Sequence, residues 1–114
     1  MVTQGNETRE KPACALSRII ELAAEQAVIY GSSRVQNHID ALGYSFEAVC
    51  ECLAQLRPDD FKEAVRYGNG PWLDVYLMSY NGPDNQCDPL YIKLKLDRDC
   101  VCVVLCSFHR EGAL

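Results

Sequence analysis

Leu90-Tyr91-Ile92-Lys93-Leu94-Lys95-Leu96 is the stretch that decides the fold. Apolar and polar residues alternate along it without a break, which is the period-two pattern of a strand with one buried and one wet face. The wet face carries a phenol and two ammonium groups. Asp97-Arg98-Asp99 reads as a turn into a second strand, Cys100 to Phe108, apolar on both faces and so expected at the centre of the sheet. Upstream, Trp72 to Tyr80 is rich in aromatic and branched residues that suit a strand. It lies between a turn at Gly68-Asn69-Gly70-Pro71 and a loop over 81–89. Phe61 to Tyr67 reads as a strand with Lys62, Ala64 and Arg66 on a basic face, although Phe61 to Val65 is also a good helix former.

The first half has a different period. From Ser17, apolar residues recur at helical spacing through Ala27, and Val28-Ile29-Tyr30 then reads as a short extended segment closed by Gly31. Ser32 or Ser33 caps a second helix running to about Leu42. Gly43 stops it, Ser45 opens a third, and Pro58 ends that one. Helices followed by an antiparallel meander give an α+β fold, with the N-terminal helices packed on a C-terminal, mostly antiparallel sheet. Residues 1–12 are expected to be a flexible polar tail and 13–114 a single α+β domain.

Composition limits the function. The 114 residues are 48% hydrophobic and 24% charged, enough apolar content for one core but too little chain for two ordinary domains. The formal net charge is −5, and between Cys14 and Asp60 three arginines face seven carboxylates. That balance disfavours a generic binder of nucleic acid or anionic membrane. The longest apolar run, Cys100 to Cys106, is far short of the roughly 20 residues that span a bilayer, and the polar N-terminus lacks a secretory core, so a cytoplasmic protein without membrane contact is expected. The seven cysteines are read as free thiols. Cys50 and Cys52 lie about 200° apart on a helix, and no CxxC or zinc-spaced His accompanies the rest, so no metal and no cofactor is expected.

No GxSxG, HExxH, phosphate loop or dinucleotide fingerprint is present. What remains is a polar sheet face: Tyr91, Lys93 and Lys95 on one strand, Lys62 and Arg66 on another, His109 and Arg110 at a strand end. Those residue types suit RNA scission by the 2′-hydroxyl, which needs a proton acceptor, a proton donor and positive charge on the phosphorane. Each has an ordinary structural use as well. Alternating lysines keep a sheet face soluble, a strand-end histidine is commonly solvated, and His38, beside Ile39 and Leu42, reads as a partly packed helix residue.

The order and wording of the segments resemble the MqsR family of bacterial toxins. The resemblance rests on the first helix with Ala27 to Tyr30, on ALGYSFEAVCECLAQL, on Asp60-Phe61-Lys62, on Trp72-Leu73-Asp74-Val75-Tyr76, on Leu90-Tyr91-Ile92-Lys93-Leu94 and on Cys106-Ser107-Phe108. It implies a RelE-like fold and a metal-independent endoribonuclease that degrades mRNA and is neutralised by a cognate antitoxin protein. Tyr91 falls on the family's active-site tyrosine, and Lys62 lies beside the place of its catalytic lysine. Leu73 stands where the family has an active-site glutamine, and His109 where it has a lysine.

Tyr91, His109 and Lys62 are therefore the expected catalytic residues, with Lys93, Lys95, Arg66 and Arg110 holding the RNA backbone. The alternative is a catalytically silent, MqsR-like protein-binding module, an inhibitor or nucleic-acid mimic, using the acidic helical surface. Thiol-based sensing is a weaker third reading, since only Arg98 adjoins a cysteine, Cys100.

Overall fold

The computed structural model describes residues 6–82 and 86–112. Strand β1 (Glu7–Arg9) precedes helix α1 (Leu16–Ala24), strand β2 (Val28–Tyr30), helix α2 (Ser33–Leu42) and helix α3 (Phe46–Ala54). A short 3-10 turn, Pro58–Asp60, then leads into β3 (Phe61–Arg66), β4 (Leu73–Asn81), β5 (Cys87–Leu96) and β6 (Val103–Arg110). The six strands form one sheet in the order β1-β3-β4-β5-β6-β2. All neighbours are antiparallel except β2, which runs parallel to β6. The architecture is α+β, as the period change along the chain predicts.

Local chemistry accounts for most element ends. The Ser32 hydroxyl accepts from the Val35 N–H and the Ser45 hydroxyl from the Ala48 N–H, so α2 and α3 each begin on a serine cap. Gly43 takes φ +79° and closes α2, a left-handed position that costs a side-chain-bearing residue more. At Gly31 the chain leaves β2 so close to β6 that a Cβ there would stand 2.9 Å from the Leu105 carbonyl oxygen. α1 has no side-chain cap. The buried Asp74 carboxylate on β4 instead accepts from the N–H groups of Ala13 and Cys14 at 2.8 and 2.9 Å, fixing the chain just before the helix.

The alternation in β5 sends Leu90, Ile92 and Leu94 into the core, all fully buried. They join Tyr76, Leu105 and Phe108 from the sheet, with Ile19 and Leu22 of α1, Val35 and Ile39 of α2, and Val49 and Leu53 of α3, in one cluster. Burial at this scale, about 25 cal/mol per Å² of apolar surface, is the dominant stabilising term.

Four expectations are corrected. Glu7–Arg9, expected within a tail, forms an edge strand on β3, because Arg66 pairs with Glu7 and the Arg9 guanidinium lies 4.2 Å above the Trp72 ring. The strand expected from Cys100 starts at Val103: the Asp97 carboxylate accepts from the Val101 and Cys102 N–H groups and Cys100 takes φ +57°, so 97–102 is a closed turn. β6 lies next to the edge strand β2 and is not the centre of the sheet. Cys87, Asp88 and Pro89, expected in a loop, pair with Asn81, Tyr80 and Ser79 as the start of β5.

β3 is the strand its alternation offered, but with a bulge between Phe61 and Glu63, and both Ala64 and Val65 are buried. Pro58 opens the 3-10 turn after α3 has already ended at Ala54.

Candidate functional site

Tyr91 and His109 face each other across β5 and β6, and two residues along Lys93 faces Ser107. Period two puts these residues on one sheet face, opposite the one that carries Ile92 and Phe108 into the core. The Tyr91 and His109 rings stack with centroids 5.1 Å apart and planes 12° from parallel. β2 pairs with β6 only along Val103–Leu105; beyond it α2 lies against β6 instead. That helix carries His38 into edge contact with His109, centroid to centroid 5.5 Å. Arg34, one turn earlier on α2, lies on the same helical face.

These elements enclose a cavity of about 330 Å³ lined by Arg34, Val35, His38, Tyr91, Lys93, Cys106, Ser107, His109 and Gly112. Among the described residues the lining includes an arginine, a lysine and two imidazoles, and no carboxylate. In a chain of net charge −5 this is a local reversal of sign, suited to an anion. A larger cavity of about 490 Å³ includes Asp60 and Glu111 with Arg57 in its lining and has no histidine or tyrosine. Among the described residues, no three His, Cys, Asp or Glu side chains gather as a set that could hold a metal ion. No helix among them is long and apolar enough to cross a membrane.

The protonation chemistry follows from contacts. His109 is only 8% exposed, and its Nδ1 lies 2.9 Å from the Arg110 carbonyl oxygen. A carbonyl only accepts, so Nδ1 donates and Nε2 is left as the lone-pair nitrogen of the neutral ring. Burial pushes the Tyr91 phenol above its ordinary value, opposed by the Lys93 ammonium and reinforced by Tyr67 and Glu63. Tyr91 is therefore a hydrogen-bond donor at neutral pH. Burial also raises the Cys106 thiol, against Lys95 and Lys93, so it is not a thiolate nucleophile. Lys93 donates from Nζ to the Tyr67 hydroxyl at 2.8 Å, which holds the ammonium beside the cavity.

Of the seven residues expected at the site, the structure gathers Tyr91, His109 and Lys93. Lys62 stands in the β3 bulge, on the far side of β4 from β5, and lines neither cavity. Lys95 pairs with Val104 beyond the bulge in β6 and does not line the cavity. Arg66 is held by Glu7 near Trp72 at the β1 edge. Arg110, next to His109 and so on the opposite face, binds the buried Asp88 carboxylate at 2.6 Å. Asp88 also accepts from the Tyr44 hydroxyl, and burial together with that bond pushes the Tyr44 phenol far up. Leu73 pairs with Val65 and lines neither cavity.

Sequence reasoning gave Arg34 no role and set His38 aside as a partly packed helix residue, whereas the structure puts both in the cavity lining. Their i, i+4 spacing on one helical face was the available signal, but nothing local showed that α2 would lie along β6.

Comparison with known proteins agrees with the resemblance read from the segments. No curated protein matches the chain. The family described as motility quorum-sensing regulator, toxin of MqsA, matches residues 11–110. With almost the whole of its single sheet and all three helices inside that match, the chain belongs to the MqsR toxin family.

Proposed function

We propose that this toxin acts as an endoribonuclease that cleaves mRNA by attack of the 2′-hydroxyl, without a metal, and that an MqsA-type antitoxin restrains it. The observation that carries the reading is the stacked Tyr91 and His109 pair in a cavity bearing Arg34, Lys93 and His38 and, among the described residues, no carboxylate.

Nε2 of His109 is the base for the 2′-proton. Tyr91 donates a hydrogen bond to a phosphate oxygen and holds the imidazole flat. Lys93 and Arg34 place fixed positive charge where the phosphorane gains negative charge. In this arrangement the ammonium role expected of Lys62 falls to Lys93. Lys95 contributes to the backbone path along β5, while Arg66 and Arg110 serve ion pairs.

Inducible expression of the wild type and of a Tyr91→Phe, His109→Ala double variant tests the reading in cells. Growth arrest with transcript decay is expected for the wild type alone, relieved by co-expression of the partner antitoxin. Equal growth and intact transcripts in both strains would end it.

The acidic helical half, together with Leu73 where the family has glutamine, favours a second reading, a silent protein-binding relative. Capture of a basic nucleic-acid-binding protein by the double variant, with wild-type expression harmless, would select it.

A further inference from the structure

The chain has only two histidines, and they meet in one cavity. His109 has a place in the chemistry above, whereas His38 has none. Its position is firmly set, because Val35 and Ile39 on either side are each 1% exposed and the helix is capped by Ser32 and closed by Gly43. Among the described residues neither ring nitrogen of His38 has a hydrogen-bond partner, so both are available to a ligand.

The two imidazoles also differ in setting. His109 is buried and spends Nδ1 on a backbone carbonyl, while His38 is half-buried at the cavity wall. The carbonyl contact leaves His109 as the ring with a lone pair to offer, so the proton-giving part falls to His38.

Resting on the ribonuclease reading, the geometry points to His38 as the second proton carrier of the site, the acid that protonates the departing 5′-oxygen. The bond between the 2′-oxygen and phosphorus forms as the 2′-proton passes to Nε2 of His109. The bond between phosphorus and the 5′-oxygen breaks as the His38 imidazolium gives its proton to that oxygen. The products are a 2′,3′-cyclic phosphate and a 5′-hydroxyl, no further reactant is consumed, and solvent exchange restores both rings.

The groups facing the pair are Arg34 on α2, Tyr91 and Lys93 on β5, and Cys106 on β6. Tyr91 and Cys106 are neutral at working pH because burial raises both. Among the described residues, that leaves the two imidazoles as the groups there that can both take up and give up a proton.

The test uses the full chain on two substrates: single-stranded RNA, and a mixture of the four ribonucleoside 3′-(4-nitrophenyl) phosphates, whose nitrophenolate leaves without protonation. His38→Gln is expected to lower kcat/KM on RNA by about 10² or more and to remove the alkaline limb of its pH profile. On the aryl phosphates the loss should shrink to less than about tenfold, while His109→Gln stays impaired on both. Equal losses on the two substrates, or a His38→Gln enzyme that matches wild type on RNA, overturns the assignment and leaves the ribonuclease reading intact. Wild-type protein that leaves RNA uncut from about pH 5 to 9 overturns both. Should His38→Gln not fold, the wild type decides alone: an alkaline limb on RNA that vanishes on the aryl phosphates is the expected result, and the same limb on both contradicts it.

Discussion

The ring of Tyr91 lies flat against the ring of His109, 5.1 Å between centroids, because β5 and β6 place the two residues directly opposite each other. Removing the phenol oxygen while keeping the ring separates its two uses. Tyr91→Phe preserves the stack and should change stability by less than about 1 kcal/mol in a thermal melt, since the Tyr91 residue is only half-buried. Its cleavage rate should fall by about 10²-fold, the usual loss when one donor to a developing oxyanion is removed. Tyr91→Ala should lose the same activity and also lower the melting temperature.

Arg110 is expected to matter for folding and not for RNA. Arg110→Ala leaves the Asp88 carboxylate, 3% exposed, with Tyr44 as its remaining side-chain partner. Stability measured by urea unfolding should drop by about 1–3 kcal/mol, at the lower end because the Arg110 side chain is itself half-exposed. RNA affinity of the folded fraction should be unchanged. Weakened RNA binding without a loss of stability would return Arg110 to the nucleic-acid surface.

Asp74 gives a pH dependence of known sign. Burial raises its carboxyl above the ordinary 3.8, against the N–H donors of Ala13 and Cys14 and the Arg9 charge. For a group whose native value is raised, the stabilising contribution is complete below the unfolded value and is lost as pH rises through the native one. The stability margin of wild type over Asp74→Asn should therefore shrink as pH rises from about 4 through that raised value, followed by thermal melts in a pH series. A margin that grows over the same interval would mean that the two backbone donors outweigh burial.

The thiols should react in order of exposure. All seven cysteines are free; Cys87 and Cys100 are exposed and Cys50 and Cys52 are buried. Burial pushes Cys50 up to about 11 and Cys52 higher still, with Asp60 adding to the latter. Brief maleimide treatment at neutral pH, read by peptide mass spectrometry, should label Cys87 and Cys100 and leave Cys50 and Cys52 unmodified. Early labelling of Cys52 would contradict the packing of α3 against the sheet.

How legible each part was depends on whether its cause is local. The strict alternation of Leu90 to Leu96, the serines at 32 and 45 and the glycine at 43 act within a few residues of themselves, and the elements they specify are where the pattern puts them. β1 was illegible because three polar residues form a strand only through Arg66 and Trp72, more than fifty positions away. The late start of β6 depends on one carboxylate, Asp97, capturing two N–H groups of a segment whose composition reads as strand. At the site, Tyr91 and His109 followed from strand order. Arg34 and His38 needed the parallel β2–β6 pairing that swings α2 alongside β6, and no local period reveals a crossover. Lys62 had the chemistry but lies in a bulge on the wrong side of β4.

The most direct measurement is of the ends left on RNA. Purified wild-type protein, incubated with a single-stranded RNA, should produce fragments with 2′,3′-cyclic phosphate and 5′-hydroxyl termini, and His109→Gln should leave the same RNA whole. Fragments ending in 3′-hydroxyl and 5′-phosphate, or uncut RNA with the wild type, would show that the Tyr91 and His109 cavity does not direct a 2′-hydroxyl at phosphorus.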